Sequence, residues 1–323
     1  MKKFLCKIIL YAFVIFIANL GFGEILLLHK DRMIKEKRFY PGVRWNEFYQ
    51  TPTNTVDLIF LGSSHCYRSF DPRIIDRITG LNTFNMGSSE QTPTTGYFVL
   101  KEVLKYQNPK IIVMEIWLNE FYLENQIQNG GYNFDSMKWS LNKFAFLFQG
   151  FSSMESLELF FPTYRFRNLF TSDLIYTLMI RNSGAVNIDP SYKLKGYVEN
   201  SETINKAQLN EKLPNRKFVP LSQNNNHLKY LKQIVALCRS KNIKPIWVSA
   251  PVTNTYRKKY NNYDNVYSYF KKIAEQFAIN YIDYNQMRDI VSDHTDFYDH
   301  CHLNKNGAQK ISLDIANKIK DML

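Results

Sequence analysis

Cysteine is scarce in this chain, and its placement builds no scaffold. Cys6, Cys66, Cys238 and Cys301 are four among 323 residues and follow neither a zinc-site nor a disulfide-framework spacing. No internal repeat is present, which sets aside repeat architectures. The formal charge is +12, yet no run of Lys and Arg interleaved with aromatics occurs, so a nucleic-acid groove is not expected. Residues 1–38 carry +5 of that excess, and the remaining +7 is spread thinly. Such a surface suits anionic membranes or cell-wall polymers. His294, Asp296, Asp299, His300 and His302 form a ligand-rich tract, but their spacing is irregular and no second ligand set accompanies it. Neither a metal nor another cofactor is expected.

Two features stand out against those absences. Aromatic residues are plentiful, with 21 Tyr and 24 Phe. Their polar-edged surfaces suit carbohydrate or membrane-interface contact, and equally plain packing. The second is Ile8 to Leu28, a mostly apolar stretch preceded by Lys2, Lys3 and Lys7. A helix of that length spans about 30 Å of hydrocarbon. Basic residues ahead of it favour a cytoplasmic N-terminus and export of the remainder. The expectation is an uncleaved signal anchor over residues 1–29, making a single-pass protein of the cell membrane with an extracytoplasmic body. Cleavage near Ala18-Asn19-Leu20-Gly21 is the alternative. Residues 30–52, basic then rich in Pro and Thr, read as a juxtamembrane connector.

Residues 53–323 read as one domain. Strand-like apolar runs occur at Asp57–Leu61, Asn82–Met86, Lys110–Trp117, Pro245–Ala250 and Asn280–Asp283. They lack clean alternation, as parallel strands covered on both faces do. Helical spacing recurs over Pro72–Thr79, Thr95–Tyr106, His227–Lys241, Val266–Phe277 and Gly307–Met322. Strands alternating with helices predict an α/β fold, a doubly wound parallel sheet in three α/β/α layers, whose ligands bind beyond the C-terminal strand ends. Residues 126–225 break the rhythm, first aromatic-rich and helical, then polar. They follow the third strand's C-terminal end, so the expectation is an insertion capping the active edge, or else an embellishment unrelated to substrate.

The chemistry concentrates at two loops. Val56-Asp57-Leu58-Ile59-Phe60-Leu61-Gly62-Ser63-Ser64-His65 puts a serine on a turn after an apolar strand. Near the far end, Asp299-His300-Cys301-His302-Leu303 supplies the only Asp-x-x-His pair in the chain. Ser64 would be the nucleophile, His302 its general base, and Asp299 the group that fixes the imidazole tautomer. His65 and Arg68 are candidate substrate contacts. For His65 the simpler expectation is an exposed loop residue, and for Arg68 a salt bridge. Cys66 and Cys301 would come near each other if the loops meet, either bridged or as two ordinary buried thiols.

These segments resemble blocks of the SGNH/GDSL hydrolase superfamily. Gly62-Ser63-Ser64 is similar to its block I, with Ser63 where Asp is usual. This Gly-Ser-Ser form resembles a membrane-linked subgroup that includes the D-alanyl-lipoteichoic acid transfer protein and the alginate and peptidoglycan O-acetyltransferases. Phe84-Asn85-Met86-Gly87-Ser88-Ser89 resembles block II, which implies that Gly87 N–H helps hold the oxyanion. Asp299-His300-Cys301-His302-Leu303 resembles block V. Block III departs from the pattern: Glu115-Ile116-Trp117-Leu118-Asn119-Glu120 lacks the usual glycine, and Asn119 is either a third oxyanion donor or an ordinary loop residue. The resemblance covers roughly residues 55–125 and 227–323.

That resemblance implies a flavodoxin-like SGNH fold and a serine-dependent enzyme. The expected activity is extracytoplasmic O-acyl transfer, with acetyl the expected group, to a cell-surface polysaccharide through an acyl-serine. The implied partners are an acyl donor, the polysaccharide acceptor and a multi-pass membrane-bound O-acyltransferase. The alternatives are a carbohydrate esterase of the same fold and a non-catalytic polysaccharide-binding or assembly component.

Overall fold

The computed structural model describes residues 2–33, 41–124, 127–165, 190–260, 262–287 and 289–323. In chain order, α1 (Lys2–Met33) and α2 (Pro41–Gln50) precede β1 (Leu58–Leu61). Helices α3 (Ser64–Ser69) and α4 (Pro72–Thr79) lead to β2 (Thr83–Asn85), and α5 (Pro93–Val103) leads to β3 (Ile111–Glu115). Helices α6 (Ile127–Ser136), α7 (Leu141–Gly150), α8 (Ser153–Phe160) and α9 (Pro162–Arg165) follow. Next come β4 (Tyr192–Leu194), β5 (Tyr197–Val198) and α10 (Lys206–Leu209). Helix α11 (Asn226–Ser240) leads to β6 (Lys244–Ser249), α12 (Asn254–Lys258) and α13 (Tyr263–Gln276) lead to β7 (Asn280–Asp283), and α14 (Lys305–Lys320) ends the chain.

All but β4 and β5 form one sheet, every pair parallel, in the order β2-β1-β3-β6-β7. That is the doubly wound order in which crossovers leave β1 on opposite faces and open a crevice at its C-terminal end. Alternation along each strand sorts side chains into two cores. Ile59, Leu61, Ile112, Met114 and Trp247 pack with α5, α11 and α13. Leu58, Phe60, Ile111, Val113 and Val248 pack with α4 and α14. Each such buried side chain contributes about 1.5–3 kcal/mol, so the layers close from both sides.

The expected strands and helices are present with shifted ends. Helix α5 begins at Pro93, before the expected Thr95, because Thr92 caps it and proline suits its first turn. The connector expected over 30–52 holds α2, whose Trp45 and Phe48 are fully buried in the core. Their apolar faces outweigh the polar composition that suggested a linker. Helices α6–α8 follow β3 in the stretch expected as a cap. They widen the layer built on α5, where Phe146 of α7 stacks on Phe98 with ring centroids 4.7 Å apart. Helix α6 also meets the loop after β2, through the Asn133 amide donating to Ser88 Oγ at 2.7 Å. The polar half of that region instead straps the far loop: Ile204 N–H donates to the Phe297 carbonyl at 2.8 Å. Helix α1 contains a 21-residue apolar stretch, Lys3–Gly23, long enough to cross a membrane.

The β4–β5 hairpin covers the edge strand β2, where Asn85 N–H donates to the Lys195 carbonyl at 2.8 Å. Lys195 and Gly196 both take positive φ, 51° and 85°, as a tight hairpin turn requires. A Cβ on Gly196 would lie 1.8 Å from the Asn85 carbonyl oxygen. Gly196→Ala should therefore undock the hairpin and lower stability by about 2 kcal/mol or more in urea unfolding. An unchanged midpoint would show that the hairpin adds nothing to the sheet.

Candidate active site

Strand β1 delivers its last residue, Leu61, to Gly62, whose φ of +149° is open to glycine and strained for other residues. Space requires glycine too, since a Cβ there would lie 2.5 Å from Glu115 Cβ. Ser63 then caps α3, its Oγ accepting from His65 N–H at 3.2 Å. The same hydroxyl donates to Glu115 Oε2 at 2.9 Å, and Ser63 N–H donates to that oxygen at 2.8 Å. The turn is thus tied to the end of the neighbouring strand β3. Ser64 is the first residue of α3, a position whose N–H has no intrahelical acceptor.

The second loop folds back on itself. Tyr298 N–H donates to the His302 carbonyl at 3.1 Å, and Phe297 bridges Leu303. Asp299 Oδ1 accepts from the backbone N–H groups of Cys301 at 2.7 Å and His302 at 2.8 Å. The His302 ring reaches Asp299 Oδ2 through Nδ1 at 2.9 Å and Ser64 Oγ through Nε2 at 2.7 Å. Burial alone would raise the Asp299 carboxyl. The His302 hydrogen bond and charge and the two backbone donors outweigh it and hold the group below its ordinary value. An ionised Asp299 selects the Nδ1–H tautomer, which leaves Nε2 to accept from the serine hydroxyl. Serine, imidazole and carboxylate stand in the order that moves a proton off the hydroxyl.

Aromatic rings hold the imidazole in place. Tyr298 stacks on His302 with centroids 5.5 Å apart and planes 12° apart. His65 lies 5.0 Å away on another side and stacks on Trp117 at 4.4 Å. His65 is buried, contrary to the exposed loop position expected for it, because Trp117 and the His302 loop enclose it. Burial first, and the His302 charge second, lower it well below the ordinary histidine value, so it is neutral. Arg68 makes no salt bridge among the described residues. Its guanidinium lies over the Tyr298 ring at 4.9 Å and the Tyr67 ring at 5.4 Å.

The two expected oxyanion residues already have acceptors. Gly87 N–H donates to Asn85 Oδ1 at 3.0 Å, and its carbonyl accepts from the buried Arg44 guanidinium. Asn119 Nδ2 donates to the Tyr256 hydroxyl at 3.0 Å, while its Oδ1 accepts from Tyr260. The Ser64 N–H is the donor that has no acceptor among the described residues. Cys66 and Cys301 are free thiols rather than a bridge. Cys66 packs beneath Gly62 and Gly87, and burial raises Cys301 to about 12. Among the described residues no His, Cys, Asp and Glu side chains converge as a metal site. In the tract around His302, Asp296 pairs with Lys310 at 2.7 Å and His300 Nδ1 meets Thr253 Oγ1 at 3.1 Å.

Glu115, Arg44, Trp117 and Tyr298 are the participants that motif reading passes over. Glu115 left a signal, a carboxylate ending an otherwise apolar strand. Arg44 left none, since nothing nearby in sequence tells that its charge is buried.

One protein-family model matches residues 198–323, which include Asp299 and His302. No curated protein matches the chain. Among solved structures the chain is similar to a GDSL-like lipase from Bacteroides thetaiotaomicron, with 12% identity and a TM-score of 0.44 over 88% of this chain and 100% of that one. It is also similar to a protein from Bacteroides fragilis provisionally assigned as an acylhydrolase, with 11% identity and a TM-score of 0.42 over 88% and 99%. These neighbours are GDSL-like hydrolases at low identity, and the chemistry of this site rests on its own side-chain geometry.

Burial raises the Glu115 carboxyl from 4.5 to about 7, with the Ser63 hydrogen bonds only partly opposing. The folded protein therefore keeps this proton when the unfolded chain has lost it. Stability from this group is greatest below about pH 4.5 and falls by about 3 kcal/mol as pH rises to about 7. Glu115→Gln, which retains an acceptor for Ser63, should flatten that slope in urea unfolding across this window. Equal slopes in both proteins would show that Glu115 does not titrate there.

Proposed function

We propose that the protein is a serine-dependent acyl-transferring enzyme. The observation that carries this is the unbroken relay from Ser64 Oγ to His302 Nε2 at 2.7 Å and from His302 Nδ1 to Asp299 at 2.9 Å. In the first half-reaction Ser64 Oγ bonds to the acyl carbonyl carbon and its proton passes to His302 Nε2. That proton then goes to the leaving oxygen as its bond breaks. In the second half, His302 takes the proton of an acceptor hydroxyl as its oxygen bonds to the acyl carbon, and returns that proton to Ser64 Oγ as the acyl-serine bond breaks. The oxyanion would lie against Ser64 N–H, with Gly87 N–H and the Asn119 amide joining on release of their present acceptors. One such donor is typically worth about 3 kcal/mol of barrier.

The finer reading is O-acyl transfer, with acetyl as the group, to a cell-surface polysaccharide by a single-pass membrane protein with an extracytoplasmic body. The apolar helix supports anchorage, and forty residues lie between Gly23, where its apolar stretch ends, and Ser64. A donor presented at the membrane, by a multi-pass O-acyltransferase, suits that distance. Tyr256, Tyr260 and Tyr298 give the surroundings a hydroxyl-bearing aromatic character compatible with sugar. An esterase is favoured by one feature: the Asp299 side chain is 38% exposed, which leaves water access to the loop.

A serine-directed fluorophosphonate should label Ser64 in the detergent-solubilised full chain at neutral pH, and Ser64→Ala should abolish labelling. Asp299→Asn should lower kcat/KM for a small acetyl ester by about 10⁴-fold, because the wrong tautomer is then presented to Ser64. Absence of labelling, with the chain folded, would overturn the reading in favour of a binding component. With an acetyl donor and candidate oligosaccharides, acetylated sugar is the expected product. Free acetate alone at every acceptor concentration would make the protein an esterase.

A further inference from the structure

We propose that the outer faces of α7 and α8 are a membrane-embedded surface, seated in the lipid bilayer beside α1. This inference rests on the reading of α1 as an anchor and is independent of the serine chemistry. On α7, Leu141, Phe144 and Phe148 follow helical spacing and share one face, with Leu141 89% and Phe148 68% exposed. On α8 and its cap, Met154, Leu157 and Phe161 repeat the arrangement, and all three are exposed. The opposite faces hold Phe146, Leu147 and Leu159, which are buried in the core. These helices are thus apolar on both sides, inward for packing and outward with no cover among the described residues. Outside α1, most of the exposed large apolar side chains of the described residues fall between Trp139 and Tyr164. A soluble surface does not concentrate them in this way.

Contact with α1 identifies what covers them. Phe160, the last residue of α8, stacks on Phe16 with ring centroids 4.9 Å apart. Asn19 Nδ2 donates to Thr163 Oγ1 in α9, a pairing that offsets the cost of an amide in hydrocarbon. Both α1 residues lie inside the apolar stretch Lys3–Gly23. At 1.5 Å per residue, Asn19 and Phe16 lie about 6 and 10 Å inside its Gly23 end. If α1 spans the bilayer, residues packed at that level are within the outer hydrocarbon. Helices lying in an interface bury an apolar face to about that depth, with aromatics along it. The two apolar faces of α7 and α8 then have the same explanation as the apolar surface of α1.

Reconstitution of the full chain in phosphatidylcholine vesicles with bromine on the acyl chains tests this by tryptophan emission. Trp139 is the native reporter, with Trp139→Phe as its baseline. Phe148→Trp, Leu157→Trp and, in α1, Ile15→Trp are placed singly in that baseline. The expected result is loss of emission from Trp139, Phe148→Trp and Leu157→Trp alongside loss from Ile15→Trp, with an unchanged far-UV circular dichroism spectrum as the check on folding. Quenching at Ile15→Trp alone would leave the anchor standing and overturn the embedded surface. A blue-shifted but unquenched signal at Phe148→Trp and Leu157→Trp would overturn it as well, in favour of a protein partner or a second copy covering the face. No quenching at Ile15→Trp would remove the anchor and this inference together, without touching the Ser64 labelling result.

Discussion

The buried carboxyl of Glu115 is the contact on which the site depends. It ends β3, lies against Gly62, and accepts both hydrogen bonds that Ser63 can donate. Two adjacent parallel strands are thereby joined at the point where β1 turns into α3. The turn cannot relax outward without taking both donors from Glu115 Oε2 in the core, which is costly. Gly62 is required for the same reason, since any side chain would occupy the space that Glu115 fills. Ser63 fits this position because its N–H and its hydroxyl both donate to the acid on the neighbouring strand.

Precision at the other loop comes from stacked rings. Tyr298 and His65 confine the His302 imidazole, Trp117 backs His65, and the Arg68 guanidinium lies over the Tyr298 ring. His65 is kept neutral, so it adds bulk beside the imidazole without adding a repelling charge. Arg44 plays the equivalent structural part under Gly87. A guanidinium whose own value burial lowers to about 10 stays charged at neutral pH and holds the Gly87 carbonyl in place. The region around Ser64 is therefore organised on one side by a buried acid and on another by a buried base.

Strand and helix positions were largely legible in the sequence, because doubly covered strands leave continuous apolar runs and helices leave fourfold spacing. Ends moved by a few residues where Thr92 with Pro93 set the start of α5. Residues 41–50 fell within the 30–52 stretch read as connector from its basic, then Pro- and Thr-rich composition, and only packing reveals that Trp45 and Phe48 are buried. The packing of the insertion's helices was hidden for a related reason. Their aromatic content announced burial, but both inward and outward faces are apolar, and sequence spacing does not say which one meets α5.

The amino-acid sequence by itself determined the alternating α/β pattern, the glycine-serine turn after β1, the Asp299–His302 pair and the apolar length of α1. Each is written in residues at most a helix length apart, where local geometry sets the outcome. Tertiary structure alone decided that Ser64 and His302, 238 positions apart, meet at 2.7 Å. It also decided that Glu115 anchors Ser63, that His65 is enclosed, and that α8 lies against α1. Those contacts follow from strand order and crossover direction, which bring distant loops to one end of the sheet, and no local pattern encodes which loops they are.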